Sequence, residues 1–406
     1  MNGISYWKTL VFSAVLVCTH LVYALENGVA RTPPMGWNSW NRYKCDDLNE
    51  EVVKRSADAM VAKGLKDVGY VFVNLDDCWQ VDRDADGRII EDKQKFPSGM
   101  KSLSDYVRSI GLKFGTYTDA GYYTCSKRPG SLGYETIDAQ TYAEWNVDYL
   151  KVDNCFPDAS PSRERFTTIR DALNATGRPI VYSICNGGET SWEWAPDVGN
   201  SWRTTYDIRD SWTVVVAILD LQIPLTHWAQ PGAWNDPDML EIGNGNMTFD
   251  EYRSHFTLWA ALKAPLLIGS DIRALSQDYI EMLSNPEIIA VNQDPLGKSV
   301  SLTEIGRAHQ LYDIWCGPLV HGHTVVVILN REDSDQKITV DWYRLGFKRN
   351  AELLVRDLWR RRDLGVLRKP HVFRVRPHGV VILKVKEMGH RRGYEHRLVT
   401  QQSNHH

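Results

Sequence analysis

Across residues 35–293, short apolar segments alternate with amphipathic ones, and that alternation restricts the chain to a parallel α/β architecture. One unit shows the logic. Glu50 and Glu51 put negative charge where a helix N-terminus favours it, and Val53, Ala57, Met60, Val61 and Gly64 then recur at helical spacing. Gly69 ends that stretch, and Tyr70-Val71-Phe72-Val73-Asn74-Leu75 follows as a near-continuous apolar strand closed by Asp76-Asp77. Comparable strands are expected at residues 113–118, 149–152, 180–183, 201–203 and 266–268. The pattern predicts a closed (β/α)8 TIM barrel, a fold that places catalysis at the C-terminal ends of its strands.

Past the turn residues Asp294, Pro295 and Gly297 the period changes. Residues 311–315, 324–329, 338–342, 353–358, 372–375 and 380–385 read as strands separated by Gly, Pro, Asn and Asp, so a C-terminal antiparallel β-sandwich domain is expected. A chain of 406 residues exceeds what one core usually supports, in line with a barrel over residues 25–300 and a β domain over 301–387. Residues 388–406 are polar and His-rich without apolar periodicity, and are expected to form a disordered tail.

Lys8, the apolar run at residues 10–17 and Val22-Tyr23-Ala24 read as a secretory signal peptide over residues 1–24, which directs the protein to secretion or to a lysosome or vacuole. That run is shorter than the roughly 20 residues of a membrane span, so no stable membrane anchor is expected after cleavage. Cleavage removes Cys18 and leaves Cys45, Cys78, Cys125, Cys155, Cys185 and Cys316, whose pairing spacing alone does not assign. Asn174-Ala175-Thr176 and Asn246-Met247-Thr248 are glycosylation candidates. A net charge of -4 and a pI near 6.3 exclude a broad basic surface, and with it nucleic acid as a partner, although Arg391, Arg392 and Arg397 are locally basic. The 15 tryptophans and 18 tyrosines suit a ligand with flat apolar faces edged by hydroxyls, such as a sugar.

The chemistry is concentrated where strands end. In Tyr149-Leu150-Lys151-Val152-Asp153-Asn154-Cys155, alternation puts Tyr149, Lys151 and Asp153 on one face and Leu150 and Val152 on the other. Lys151 and Asp153 are then either a buried structural ion pair or part of a site. Asp76, Asp77, Asp119, Asp207, Asp236 and Asp238 also fall at expected strand ends. Such a ring of carboxylates suits oxygen-ligated metal catalysis or glycoside hydrolysis by a carboxylate pair. No histidine joins it. His321-Gly322-His323 and His405-His406 lack metal-ligand spacing, so the histidines are expected on the surface.

The chain resembles the α-galactosidases of glycoside hydrolase family 27, the melibiase type of clan D. The likeness runs through Arg31-Thr32-Pro33-Pro34-Met35-Gly36-Trp37-Asn38-Ser39-Trp40, Asp76-Asp77-Cys78-Trp79, residues 149–155 and 202–208, Trp234-Asn235-Asp236-Pro237-Asp238-Met239-Leu240 and Asn292-Gln293-Asp294-Pro295-Leu296-Gly297. It implies a retaining exo-α-galactosidase acting on terminal α-linked galactose without metal or cofactor, and it allows a homodimer. It implies that Asp153 is the nucleophile and Asp207 the acid/base. Asp153's charge would raise the pKa of Asp207, and Lys151 would keep Asp153 ionised. It further implies that Asp76 and Asp77 bind the 4- and 6-hydroxyls, that Trp40 and Tyr117 form walls, and that Arg203 and Asp238 bind hydroxyls. Met239 would lie on the floor, with Cys125 and Asn186 completing the pocket. Cys45 would pair with Cys78 and Cys125 with Cys155, leaving Cys185 and Cys316 as free thiols.

Two positions depart from the family pattern. Where many relatives carry Cys-Glu-Trp, this chain has Cys185-Asn186-Gly187-Gly188-Glu189, whose glycines leave room for a 2-acetamido group. Tyr206 stands before Asp207 where a small residue is usual. An α-N-acetylgalactosaminidase or β-L-arabinopyranosidase therefore stays open as an alternative, as does a galactose-binding protein without catalysis.

Overall fold

The computed structural model describes residues 24–187, 190–306 and 310–388. The expected signal segment, apart from Ala24, and the expected tail beyond Met388 lie outside the described residues, as do Gly188 and Glu189.

Strands β1 (Met35–Asn38) and β2 (Phe72–Asn74) are followed by a hairpin excursion, β3 (Gln80–Arg83) and β4 (Ile89–Glu91). Then come β5 (Lys113–Asp119), β6 (Tyr149–Asp153), β7 (Val181–Ile184), β8 (Ser201–Arg203), β9 (Trp234–Asp236) and β10 (Leu266–Ile268). Eight of them form one parallel sheet in the order β10-β1-β2-β5-β6-β7-β8-β9. The circle closes through Leu240, just beyond β9: its amide donates to the Leu267 carbonyl at 2.8 Å, and its carbonyl accepts from Gly269 at 2.8 Å. Consecutive parallel strands need helical crossovers, and all strands then end on one rim.

The inside–outside assignment on β6 agrees with the sequence reading. Leu150 and Val152 are buried in the main core, whereas Tyr149 joins Phe72, Val181, Met239 and Leu267 in a cluster that fills the barrel interior. The helix Glu50–Ala62 starts where expected, its N-cap Asn49 accepting from the Val52 amide. Its periodic stretch ends sooner, and a separate turn at Lys66–Val68 leads into Gly69 at φ 108°. Strand β9 carried no apolar signature because two of its three residues are polar. Asn235 is affordable there, since it accepts from the Trp202 indole at 3.0 Å and donates to the Leu225 carbonyl at 2.7 Å.

The second region contains β11 (Ser301–Ile305), β12 (Tyr312–Leu319), β13 (His323–Asn330), β14 (Gln336–Val340), β15 (Leu353–Asp357), β16 (Arg362–Leu367), β17 (His371–Val375) and β18 (Val380–Glu387). They form an antiparallel sheet ordered β11-β12-β13-β18-β15-β16 and a smaller pair β14-β17. Along β13, Val325, Val327 and Leu329 join the core shared with the barrel, while Val326 and Ile328 pack with Ile338, Val340 and Phe373 inside the sandwich. Both faces of this strand are therefore dry. The edge strands β11 and β16 escaped the sequence reading because their largely exposed residues show no buried apolar run.

The helix Phe249–Ala261 carries the contact between the two regions, with the Ser254 hydroxyl donating to the His378 carbonyl at 2.6 Å. That helix also corrects the expectation of surface histidines. His255 is fully buried, edge-on to Trp259 with ring centroids 4.2 Å apart, and its Nε2 accepts from the Glu241 amide at 3.2 Å. Burial lowers its pKa to about 3, so it is a neutral core residue. Among the described residues no helix is long and apolar enough to cross a membrane.

Candidate active site

A cavity of about 180 Å³ opens at the C-terminal ends of the barrel strands. Its size, below the roughly 300–1,000 Å³ of sites for larger ligands, fits a single small ring. Trp40, Asp76, Asp77, Tyr117, Cys125, Lys151, Asp153, Arg203, Asp207, Asp238 and Met239 line it. Strand register brings them together: β5 and β6 place Tyr117 beside Lys151 and Asp119 beside Asp153.

Asp153 Oδ2 accepts the Tyr117 hydroxyl at 2.7 Å. Lys151 Nζ donates to Asp76 Oδ2 at 2.9 Å and lies 4.0 Å from Asp153 Oδ2. Its closer partner is thus Asp76, and the sequence reading missed that Tyr117 is the direct donor to Asp153. Burial alone would neutralise Lys151, but Asp76 and Asp153 outweigh it and hold the lysine's pKa well above its ordinary value. Asp76 also accepts from Asn38 Nδ2 at 2.9 Å. The neighbouring Asp77 is pushed upward by burial, against the Ser126 amide that donates to its Oδ2 at 3.0 Å.

Across the cavity, Arg203 Nη2 is shared between Asp207 Oδ1 at 2.9 Å and Asp238 Oδ2 at 3.0 Å. Asp238 is buried, whereas the Asp207 side chain is 73% exposed. Burial would raise the Asp207 pKa, but Arg203 overrides it and leaves the carboxyl below its ordinary value. This reverses the expected upward shift from Asp153: a guanidinium in direct contact outweighs the more distant carboxylate. Asp238 adopts φ 79° and accepts the Ile208 amide at 2.9 Å, which ties the loop carrying Asp207 to the loop after β9.

Both expected disulfides, Cys45–Cys78 and Cys125–Cys155, are present, and Cys185 and Cys316 are free. Asp119 lies beside the Cys125–Cys155 sulfurs without lining the cavity. Its two oxygens accept the Cys155 amide at 3.1 and 2.9 Å, and Oδ1 accepts the Gly121 amide at 2.7 Å, so it braces two rim loops. Burial raises its pKa to about 8, against those two amides.

Asn186 is the one expected pocket residue that does not line the cavity. It is buried, accepting from Asn154 Nδ2 at 2.6 Å and donating to Ser191 Oγ at 3.1 Å. Asn154, Cys155, Cys185 and Gly187 line the cavity in addition. Their nearness to Asp153 and to the end of β7 was the available signal. At Gly187, φ is 61° and, among the described residues, nothing lies within 4 Å of where a Cβ would stand.

A (β/α)8 barrel whose rim gathers Asp76, Asp77, Asp153, Asp207 and Asp238 around one sugar-sized cavity defines a glycoside hydrolase of the carboxylate type. The family model described as alpha galactosidase A matches residues 32–294, and that of the alpha galactosidase C-terminal beta sandwich domain matches residues 309–385. Alpha-galactosidase 3 of Arabidopsis thaliana is 51% identical over 342 residues, covering 84% of this chain and 78% of its own length. The alpha-galactosidase of Cyamopsis tetragonoloba is 50% identical over 343 residues, covering 83% of this chain and 82% of its own. The crystal structure of alpha-galactosidase I from Mortierella vinacea superposes with a TM-score of 0.84 at 38% identity, over 89% of this chain and 98% of that one. The chain belongs to the α-galactosidases of glycoside hydrolase family 27.

Proposed function

We propose that the protein is a retaining exo-α-galactosidase in which Asp153 and Asp207 carry out a double displacement on a terminal α-linked galactose. The observation that carries this reading is the division of the cavity into two differently wired carboxylates. Asp153 is half-enclosed beside Tyr117 and Lys151, while Asp207 stands exposed at the mouth on Arg203.

Tyr117 holds Asp153 Oδ2, so Oδ1 is the oxygen that attacks the anomeric carbon as the glycosidic bond breaks. Asp207 gives its proton to the departing oxygen, then takes one from the water that cleaves the glycosyl-enzyme. The configuration at the anomeric carbon is thereby kept. Arg203 opposes the first step by favouring ionised Asp207. A sugar hydroxyl entering beside Asp238 draws Arg203 toward itself, and Asp207 can then hold the proton that the first step needs. Loss of the Asp153 charge on forming the intermediate readies Asp207 as a base. These demands place the optimum on the acidic to near-neutral side.

Asp76 and Asp77 bind the 4- and 6-hydroxyls, Arg203 and Asp238 bind other hydroxyls, and Trp40 and Met239 bound the ring. We assign residues 25–300 to the catalytic barrel and 301–387 to its supporting β domain. The open space at Gly187 favours one second reading, an α-N-acetylgalactosaminidase whose acetamido group occupies it. Both are tested by hydrolysis of matched aryl α-galactoside and aryl α-N-acetylgalactosaminide with wild type and Asp153→Asn. Galactoside turnover that falls about 10³-fold or more in the variant is expected; preference for the acetamido sugar selects the second reading. Wild-type activity retained in Asp153→Asn removes Asp153 from the nucleophile's role.

A further inference from the structure

Isolated surface aromatics are ordinary, but three flank residues that line this cavity. Tyr123, Phe156 and Tyr206 are 54%, 45% and 51% exposed. Phe156 directly follows Cys155, Tyr123 is two residues before Cys125, and Tyr206 directly precedes Asp207, all three neighbours being cavity-lining residues. The Tyr123 and Phe156 rings meet edge to face, with centroids 6.1 Å apart and planes at 90°.

The backbone at Phe156 is fixed by its neighbours. Phe156 has φ 46°, a conformation that a bulky residue adopts only when its surroundings impose it. Here the surroundings are explicit: the Phe156 carbonyl accepts the Tyr122 amide at 3.1 Å, and Asp119 accepts the Cys155 amide at 2.9 Å. The two loops press so closely that a Cβ on Gly121 would stand 1.9 Å from the Cys155 carbonyl oxygen. A loop backbone fixed this way loses little freedom when a ligand covers the Phe156 ring, which favours binding.

We propose that Tyr123 and Phe156 on one side, and Tyr206 on the other, form a leaving-group subsite that takes the apolar face of the sugar joined to galactose. The inference rests on the reading of Asp153 and Asp207 as the reacting pair, because it places the leaving group at the mouth beside Asp207. The cavity itself has room for the galactosyl ring alone, so the next sugar must lie against the rim.

The test compares an α-galactosyl mannooligosaccharide with methyl α-galactoside, whose leaving group is too small to cover the aromatics. Phe156→Ala and Tyr206→Ala are measured beside Tyr343→Ala, which removes an aromatic that is 55% exposed on the β domain. Expected is a rise of about five- to tenfold in KM for the oligosaccharide in each rim variant. Turnover of methyl α-galactoside and inhibition by free galactose should stay within about twofold, and Tyr343→Ala should change neither. Equal losses on both substrates, or no change on either, overturn the proposal. Should wild type cleave no α-galactoside, the catalytic reading fails instead, and calorimetric affinities for the oligosaccharide and galactose then decide the subsite by the same contrast. If Phe156→Ala does not fold, Tyr206→Ala carries the test alone.

Discussion

Strand β6 of the barrel and strand β13 of the sandwich both bury their apolar residues on two sides, but they end differently. β6 runs out at Asp153 on a rim that it shares with seven parallel neighbours, so Asp76, Asp119, Asp207 and Asp238 lie around it. β13 lies between β12 and β18, both antiparallel to it, and successive strands there end at opposite edges of the sheet. Parallel topology thus gathers strand-end residues from distant parts of the chain, whereas antiparallel topology disperses them. Charge is therefore concentrated at one end of the barrel, while the sandwich is organised around apolar packing.

That contrast predicts lesions of different kinds. Trp342→Ala, in the sandwich core, should cost about 3–5 kcal/mol of stability and leave kcat and KM unchanged below the melting transition. A changed KM at a temperature where the variant is folded would show that the sandwich shapes the site. Replacing Cys125 and Cys155 together by Ser should cost about 2–4 kcal/mol, and unlike the core lesion it should also raise KM, because the bridge lines the cavity. Thermal melting alongside KM separates the two effects, and an unaltered KM would mean that Asp119 alone fixes the loops.

The smallest effect expected is on pH dependence. Arg203 lowers the Asp207 pKa in the free enzyme, and kcat/KM reports the free enzyme. Arg203→Gln should therefore let that pKa rise and move the alkaline limb of kcat/KM to higher pH, while the lost contact to sugar reduces the plateau about tenfold. A limb that stays in place would remove Asp207 from the role of acid.

A parallel prediction concerns stability. Asp119 has a folded pKa near 8, far above its unfolded value near 3.9. A raised carboxyl pKa means that the native state binds the proton more tightly. Its contribution is thus fully present below the unfolded pKa and is lost as pH climbs toward 8. Asp119→Asn should flatten the decline in melting temperature across that window; an equal slope in the variant would assign the decline to other groups.

Much of this was legible in the residues. The alternation over residues 35–293 announced a barrel because hydrophobic period is a local property that a strand or helix must display to bury one face. The ordered motifs pointed to Asp153, Asp207 and the disulfide cysteines. Strands such as β9 and β16 were not legible, since one is stabilised by partners distant in sequence and the other is an exposed edge. The family resemblance implied that Asn186 joins the pocket, but its amide turns to Asn154 and Ser191 instead.

Local pattern was enough to set the carboxylates at strand ends. Their wiring came only with the folded chain: Lys151 to Asp76 before Asp153, Tyr117 to Asp153, and Arg203 divided between Asp207 and Asp238. The cause is range. Periodicity and strand-end placement are set by neighbours within a few residues, whereas a pKa or a hydrogen bond depends on a few ångströms between side chains that the fold brings together, Lys151 and Asp76 from 75 residues apart.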